Sequence, residues 1–548
     1  MTTAILDASG TPVPASYIAG IRSQAFTPAT FTPPFRSGSF HSQELAAWRP
    51  STMSADAAII PNRDLSVARV RDLVRNDPHA VAGVSKLVDM IIGPGLRWSS
   101  KPDMRALGLD PLKPEDAKVN RELGAAMDAE WRAFAEDPLR RCDAQRRLSM
   151  NGMFRLLCRT WVINGETTAS LGWKNRGRYS TCVRAIDPDR LSNPNGAATT
   201  ATMRLGVEFD IDGEPLAYHV RNGHPSDYFD IRPNALTWTR IPRSTKWGRP
   251  VFIHGFEPDR EDQARAITPF AALIQRMRMI GKFADTELAS ATVNALFAAF
   301  VKSSLPVDAV NQAFTPQTLT FADKRMDYYA QNPAMLNGVR VPVMPVGDEV
   351  QINNASRNTT SFADFQSAFL QSIASALGIS YEQLAGDWSM VNYSSARAAL
   401  NEVWRHIRTV SAAFTEQVAD PIRLAVMEEA FDRGYVAIPK GLPDFWDLPG
   451  AYLRGRWIGP GRGYVDPVKE AQGASLRMGT LTATLESENA DQGLFWEETI
   501  DQVAYEEEML KARRLTRTIS AGSGLLPDPS DAGNDAAADA AADKRPGQ

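Results

Sequence analysis

Cysteine is nearly missing from this sequence: Cys142, Cys158 and Cys182 are the three in 548 residues, and no CxxC pair occurs. An odd, widely spaced set excludes a disulfide framework and a cysteine-rich zinc site, and it points to folding in a reducing, cytoplasmic compartment. Long apolar runs are missing too. No stretch approaches the ~18 apolar residues of a bilayer-spanning helix. The opening MTTAILDASGTPVPASY has no basic segment followed by an apolar one, so neither a membrane-embedded chain nor a standard secretory leader is expected. Positive charge is not in excess, with 60 Lys and Arg against 64 Asp and Glu, a formal net charge of -4. A broad nucleic-acid surface needs clustered cations, so any contact with phosphates has to be local.

Catalytic signatures are also lacking. GxxxxGK[ST], GxSxG, HExxH and GxGxxG do not occur, and GPGRG at 459–463 is followed by Tyr464 where the dinucleotide fingerprint requires glycine. The histidines His41, His79, His219, His224, His254 and His406 are scattered. His219 and His224 flank an expected turn rather than sharing a helix face, which is poor metal-ligand spacing. Glu506, Glu507 and Glu508 read as a solvated helix face without the pairing that acid–base work needs. No catalytic residue, metal or cofactor is expected, and the chain reads as a non-enzyme.

What is present is a 43% hydrophobic, 23% charged composition, enough for a sizeable core in several parts. Residues 1–60 are rich in Ser, Thr, Pro and Ala and read as a loosely ordered arm. Helical periodicity starts at Asp64, resumes after Pro78 and stops at Gly93-Pro94-Gly95. A further helix pair is expected over Leu123–Phe134 and Leu148–Trp161. Strand-like segments follow at Ala169–Trp173, Val183–Ile186, Gly206–Ile211 and Pro215–Arg221, with Asp212-Gly213 as a hairpin signal. The class is α+β.

Thr268-Pro269 reads as an N-cap and first turn for a long amphipathic helix reaching Val301. Residues 302–359 carry five prolines and short β-like pieces (VRVPVMPV, EVQI). A second helix follows, with a capping-box-like start at Ser361 and Asp364, an apolar face of Phe362, Phe365, Phe369, Ile373 and Leu377, and a stop at Gly378. An irregular segment runs from Gly378 to Tyr393. A long helix then begins near Ser394, kinks at Pro421 and ends at Gly434. Its outer side carries Arg397, Asn401, Arg405 and Arg408, a basic stripe whose bland reading is a solvated face or inter-subunit ion pairs with acids such as Glu402 or Glu416. Trp446, Trp457 and Trp496 are expected as packing anchors. Arg513, Arg514 and Arg517 read as a solvated helix end, and residues 521–548 as a disordered tail.

Four runs, RVRDLVRNDPHAVAGVSKLVDMIIGPGLRW (69–98), FADTELASATVNALFAAFV (283–301), LGISYEQLAGDWSMVNYSSARAAL (377–400) and YVDPVKEAQGASLRMGTLT (464–482), resemble successive signatures of the lambda-like phage portal family. Together they cover roughly residues 40–510. The resemblance implies a portal fold assembled as a ring of twelve subunits around a channel for double-stranded DNA at one capsid vertex. It implies an N-terminal arm (1–60), a wing (61–260), a stem helix (261–301), a clip (302–359), a second stem helix (360–377) and a tunnel loop (378–393). The long kinked helix (394–433), a wing or crown region (434–520) and the tail (521–548) complete the order. Trp388, Met390, Asn392 and Tyr393 are then the loop residues nearest the DNA, with Arg397, Arg405 and Arg408 as candidate phosphate contacts. Implied partners are the terminase large subunit, the major capsid protein and a head-completion or adaptor protein, with no membrane. The implied location is the virion, after assembly in the host cytoplasm. A capsid-associated adaptor or scaffold, or a DNA-processing enzyme, is the alternative; closed rings separate the first reading from these.

Overall fold

A computed structural model describes residues 47, 48, 50–227, 229–297, 335, 336, 339, 340, 360–389, 393–463 and 466–515. The chain divides into two compact units, Met1–Ala58 and Ile59–Gln548; the elements below belong to the second. Helices α1 (Arg63–Asn76) and α2 (Pro78–Ile91) meet at Asp77, whose side chain accepts from Ala80 N while Pro78 occupies the first turn, where no amide donor is needed. Strand β1 (Arg97–Ser100) leads to α3 (Pro114–Ala135) and α4 (Met150–Asn164), the latter capped by Ser149 and ended by Gly165 at φ 84°. That glycine is required, because a Cβ there would sit 2.1 Å from the Ile267 carbonyl oxygen.

Strands β2 (Glu166–Trp173) and β3 (Thr181–Ile186) follow, then β4 (Met203–Arg204), β5 (Val207–Phe209), β6 (Pro215–Arg221), β7 (Trp238–Pro242) and β8 (Phe252–Phe256). They form a three-stranded sheet, order β3-β2-β8, and a four-stranded sheet, order β4-β5-β6-β7. The expected hairpin is there: β5 pairs antiparallel with β6, with a bulge at Glu208/Phe209 and Gly213 at φ 88°. Strands β1, β7 and β8 were not anticipated; Trp238–Pro242 is mostly exposed, and Arg97–Ser100 finds its partner some 360 residues downstream.

The long helix α5 spans Ile274–Phe297, beginning later than the Thr268 cap reading. Thr268, Phe270 and Leu273 are all buried, and this stretch winds tightly, with Ala271 N bonding Thr268 O and Leu273 N bonding Phe270 O. Of 302–359, the described residues are the two-residue strands β9 (Met335–Leu336) and β10 (Val339–Arg340), paired antiparallel. VRVPVMPV is described only at its first two residues, and EVQI lies outside the described residues. Helix α6 (Thr360–Ala376) packs on α5, with the tilted rings of Phe283, Phe365 and Phe369 in succession at 4.7 and 4.4 Å between centroids. Ser361 falls inside its first turn and Asp364 further in, so the capping-box expectation there is corrected.

The segment 378–393 is not irregular throughout, a second correction. It holds a helical turn, α7 (Tyr381–Ala385), which forms because Ser380 and Gln383 cap each other reciprocally and Gly386 at φ 72° ends it. Next come α8 (Tyr393–Phe414), a π-helical turn (Thr415–Ala419) and α9 (Asp420–Asp432). The expected irregularity at Pro421 is this wider turn just before it. Strand β11 (Gly455–Ile458) pairs with β1, and α10 (Pro467–Gly479), α11 (Leu485–Asp491) and α12 (Trp496–Ala512) close the described chain.

The core runs through α1–α4, the first sheet, α5–α9 and β11. Trp457 is its aromatic hub, 4.9 Å from Trp98, 5.5 Å from Trp131 and 5.9 Å from Phe154. The buried Arg423 lies over Trp98 at 3.6 Å. Among the described residues, no helix is long and apolar enough to cross a membrane.

Candidate functional site

The loop between α6 and α8 is held at its start. Gly378 turns the chain at φ 68° directly over His406, where a Cβ would come within 2.2 Å of the imidazole. Leu377, Ile379 and Leu384 are buried, and Leu377 and Leu384 pack against Gly83 of α2. Beyond Gly386 these anchors end. Asp387 accepts from Ser389 N at 3.0 Å and from its hydroxyl at 2.7 Å, which holds the Asp387 carboxyl below its ordinary pKa. Trp388 is 47% exposed, a large apolar ring left to solvent by the described chain. Met390 and Asn392 lie outside the described residues, and Tyr393 is the first residue of α8.

Helix α8 separates its faces cleanly. Val403, Ile407 and Phe414 are buried, whereas Arg397, Asn401, Arg405 and Arg408 are exposed along the other side. Arg408 pairs with Asp491 at 3.1 Å, and Asp491 also takes Arg456 at 3.3 Å. Within the chain, its acid thus comes from α11. Arg397 and Arg405 have no acid partner among the described residues, so the stripe keeps two uncommitted cations.

The histidine pair is not brought together. His219 Nε2 meets Glu208 at 3.1 Å, while His224 lies 3.7–3.8 Å from Asp189 and Asp187. Donor atoms of Asp187, Asp189 and His224 fall within 4.8 Å of one another. Arg71, however, holds both aspartates at 3.0 and 2.5 Å, so a guanidinium already supplies the positive charge that a metal ion would bring.

Sequence reading missed a buried ionic hub. Glu166, fully buried, accepts from Arg63 at 2.6 Å, from Arg265 Nε at 2.9 Å and from His254 Nε2 at 3.1 Å. Arg265 also donates to the carbonyls of Pro188, Leu191 and Leu205. Burial alone would raise the Glu166 pKa, but the two guanidiniums outweigh it and hold the carboxyl well below its usual range. Burial lowers the His254 pKa, against the opposing pull of the Glu166 carboxylate. The hub ties α1, β2 and β8 to the segment entering α5.

Residues 41–410 match the family described as phage portal protein, lambda family. The chain is 32% identical over 471 residues to the portal protein of Escherichia phage N15, covering 84% of this chain and 87% of that one. It is likewise 32% identical over 477 residues to portal protein B of Escherichia phage lambda, covering 85% and 87%. Among solved structures it is similar to a chain from the neck of an empty gene transfer agent particle computed with C6 symmetry, at TM-score 0.36 and 15% identity, covering 78% of this chain and 93% of that one. A chain from the neck of the native particle, computed with C12 symmetry, gives TM-score 0.33 and 13% identity, covering 79% and 99%.

Proposed function

Since the chain belongs to the lambda family of phage portal proteins and is a phage portal protein, we propose that it works as a ring of twelve copies around an axial channel. Double-stranded DNA enters the capsid and leaves it through that channel. The observation that carries this reading is the order of parts: α5, the connecting residues 298–359, α6 packed back on α5, a loop anchored at its start, and a long interrupted helix. In the proposed arrangement α5 and α6 form the stem and 302–359 the clip, with the wing at 61–260. The tunnel loop is 378–393, and of its residues Trp388, Met390, Asn392 and Tyr393 lie nearest the DNA.

A head-to-tail contact repeated by rotation closes into a ring, and a stem of paired helices offers a long lateral surface for it. The clip is the docking end for the terminase large subunit and later for the head-completion or adaptor protein, and the major capsid protein surrounds the ring. The ring acts in the virion, at the portal vertex, after assembly in the host cytoplasm. No catalytic step is assigned to the chain. Negative-stain imaging of the purified full chain tests the reading: closed rings with a central pore are expected, and compact monomers at every salt concentration would overturn it.

A further inference from the structure

Apart from the α8 stripe, positive charge gathers on a second surface. The connection from α3 to α4 carries Arg140, Arg141, Arg146 and Arg147, and the β2–β3 hairpin carries Lys174, Arg176 and Arg178. Folding brings the two together. Val183 N donates to Cys142 O at 2.7 Å and Ala144 N to Val183 O at 2.8 Å, laying the connection along β3. Lys174 Nζ and Arg176 Nη1 both reach the Ala144 carbonyl, at 3.2 and 3.1 Å.

The nearby acids are already committed. Asp143 is buried and accepts from the amides of Gln145, Arg147 and Leu148. Asp137 holds Arg141 at 2.7 Å, and Glu130 holds Arg178. Arg140, Arg146, Arg147, Lys174 and Arg176 are left with no acid partner among the described residues, in a chain whose net charge is -4. The backbone is also held in an unusual shape: Arg140 and Arg146 sit at φ 53° and 57°, a left-handed conformation that costs a non-glycine residue about 1 kcal/mol or more. Two buried aspartates maintain that shape. The surface is therefore a fixed display of cations, mostly planar guanidiniums suited to phosphate oxygens.

It also stands apart from the α8 stripe. The hairpin is anchored at Ser180 and Thr181, whose amides donate to Glu429 of α9 at 2.7 and 2.8 Å. At 1.5 Å per residue, the helical path to Glu429 spans roughly 48 Å from Arg397 and roughly 36 Å from Arg405.

We propose that this surface is a second, sequence-independent contact for double-stranded DNA, used by duplex lying outside the channel. The inference rests on the portal reading, which supplies the DNA. The test uses the full chain and a covalently closed DNA minicircle, which cannot thread a closed ring. Binding is expected to fall steeply with salt and to be the same for two unrelated sequences.

The triple variant Arg146→Ala/Arg147→Ala/Arg176→Ala should bind at least about tenfold more weakly near 0.1 M salt. Its slope of log K against log salt should be shallower by two to three, about 0.9 per lost phosphate contact. Arg397→Ala/Arg405→Ala should leave minicircle binding unchanged. Rings are counted by mass photometry in the same samples. Wild-type affinity in the triple variant would overturn the proposal, as would a wild type that ignores the minicircle. Loss of rings in the triple variant alone would assign the patch to a contact between copies, and stronger competition by polyglutamate than by DNA would assign it to an acidic protein. Wild type that forms no rings yet binds the minicircle through these arginines would sink the ring reading and keep the patch.

Discussion

Two buried carboxylates show how one side-chain type is put to opposite uses. Glu166 faces Arg63 and Arg265, both almost fully buried themselves. Replacing it with alanine strands two guanidiniums in the core, and Glu166→Ala should cost about 3–5 kcal/mol, read as a lower urea midpoint at unchanged m-value. A loss below 1 kcal/mol would mean that water reaches the hub. The folded pKa is depressed, so its stabilisation is present above the unfolded carboxylate value and lost as pH falls through the folded one.

Asp128 has the reverse sign. Burial pushes its carboxyl up to about 6, only partly offset by hydrogen bonds from Ser100, whose amide lies 2.9 and 3.2 Å from the two oxygens. The folded state then binds more protons than the unfolded state between about pH 4 and 6, and stability contributed by this group falls as pH rises through that window. Asp128→Asn should flatten the fall, worth up to about 3 kcal/mol, in thermal melts taken from pH 4 to 7. An unchanged pH profile would refute the assignment.

At the scale of elements, the π-helical turn between α8 and α9 is fitted to β8. Gln417 Oε1 accepts from Phe256 N at 2.8 Å, and the turn presses so closely that a Cβ on Gly255 would lie 2.7 Å from Val418 and 3.0 Å from Trp161. Gly255→Ala should therefore destabilise by about 1–3 kcal/mol through overpacking. Val418→Ala should relieve part of that cost, giving a coupling of at least about 0.5 kcal/mol in a double-mutant cycle. Strict additivity would show that the two do not meet.

Elements of this kind differ in how far they could be read in advance. α1, α2 and the β5–β6 hairpin were legible because their signals are local: Asp77-Pro78, Gly93 and Asp212-Gly213 act within a few residues. The β1–β11 pairing and the Glu166 hub were not, because Arg97 and Ile458, or Glu166 and Arg265, meet only through tertiary structure. The exposed arginines of α8 were visible as a stripe, but Asp491 as the partner of Arg408 was not. The second basic surface was not read in advance: Arg140, Arg141, Arg146 and Arg147 are joined by Lys174 and Arg176 only once the hairpin folds back.

At the scale of the whole molecule, a mildly acidic chain that lines the proposed channel has to keep its phosphate contacts there few. A channel that held duplex tightly would stall its passage, because every neutralised phosphate adds affinity through counterion release. Around the proposed ring of twelve, two cations per copy already give a band of charge, and Arg397 and Arg405 are the two that α8 leaves without an acid partner among the described residues. Arg408, shared with Asp491, contributes less free charge. If the band faces the channel, Arg397→Ala/Arg405→Ala removes it without touching the buried face of Val403, Ile407 and Phe414. Rings should then form at wild-type yield by mass photometry, while particles assembled with the variant retain less DNA, measured as nuclease-protected genome per capsid. If the same variant instead dissociates the rings, the two arginines hold neighbouring copies together, and the channel contact has to be sought at Trp388 and the loop tip.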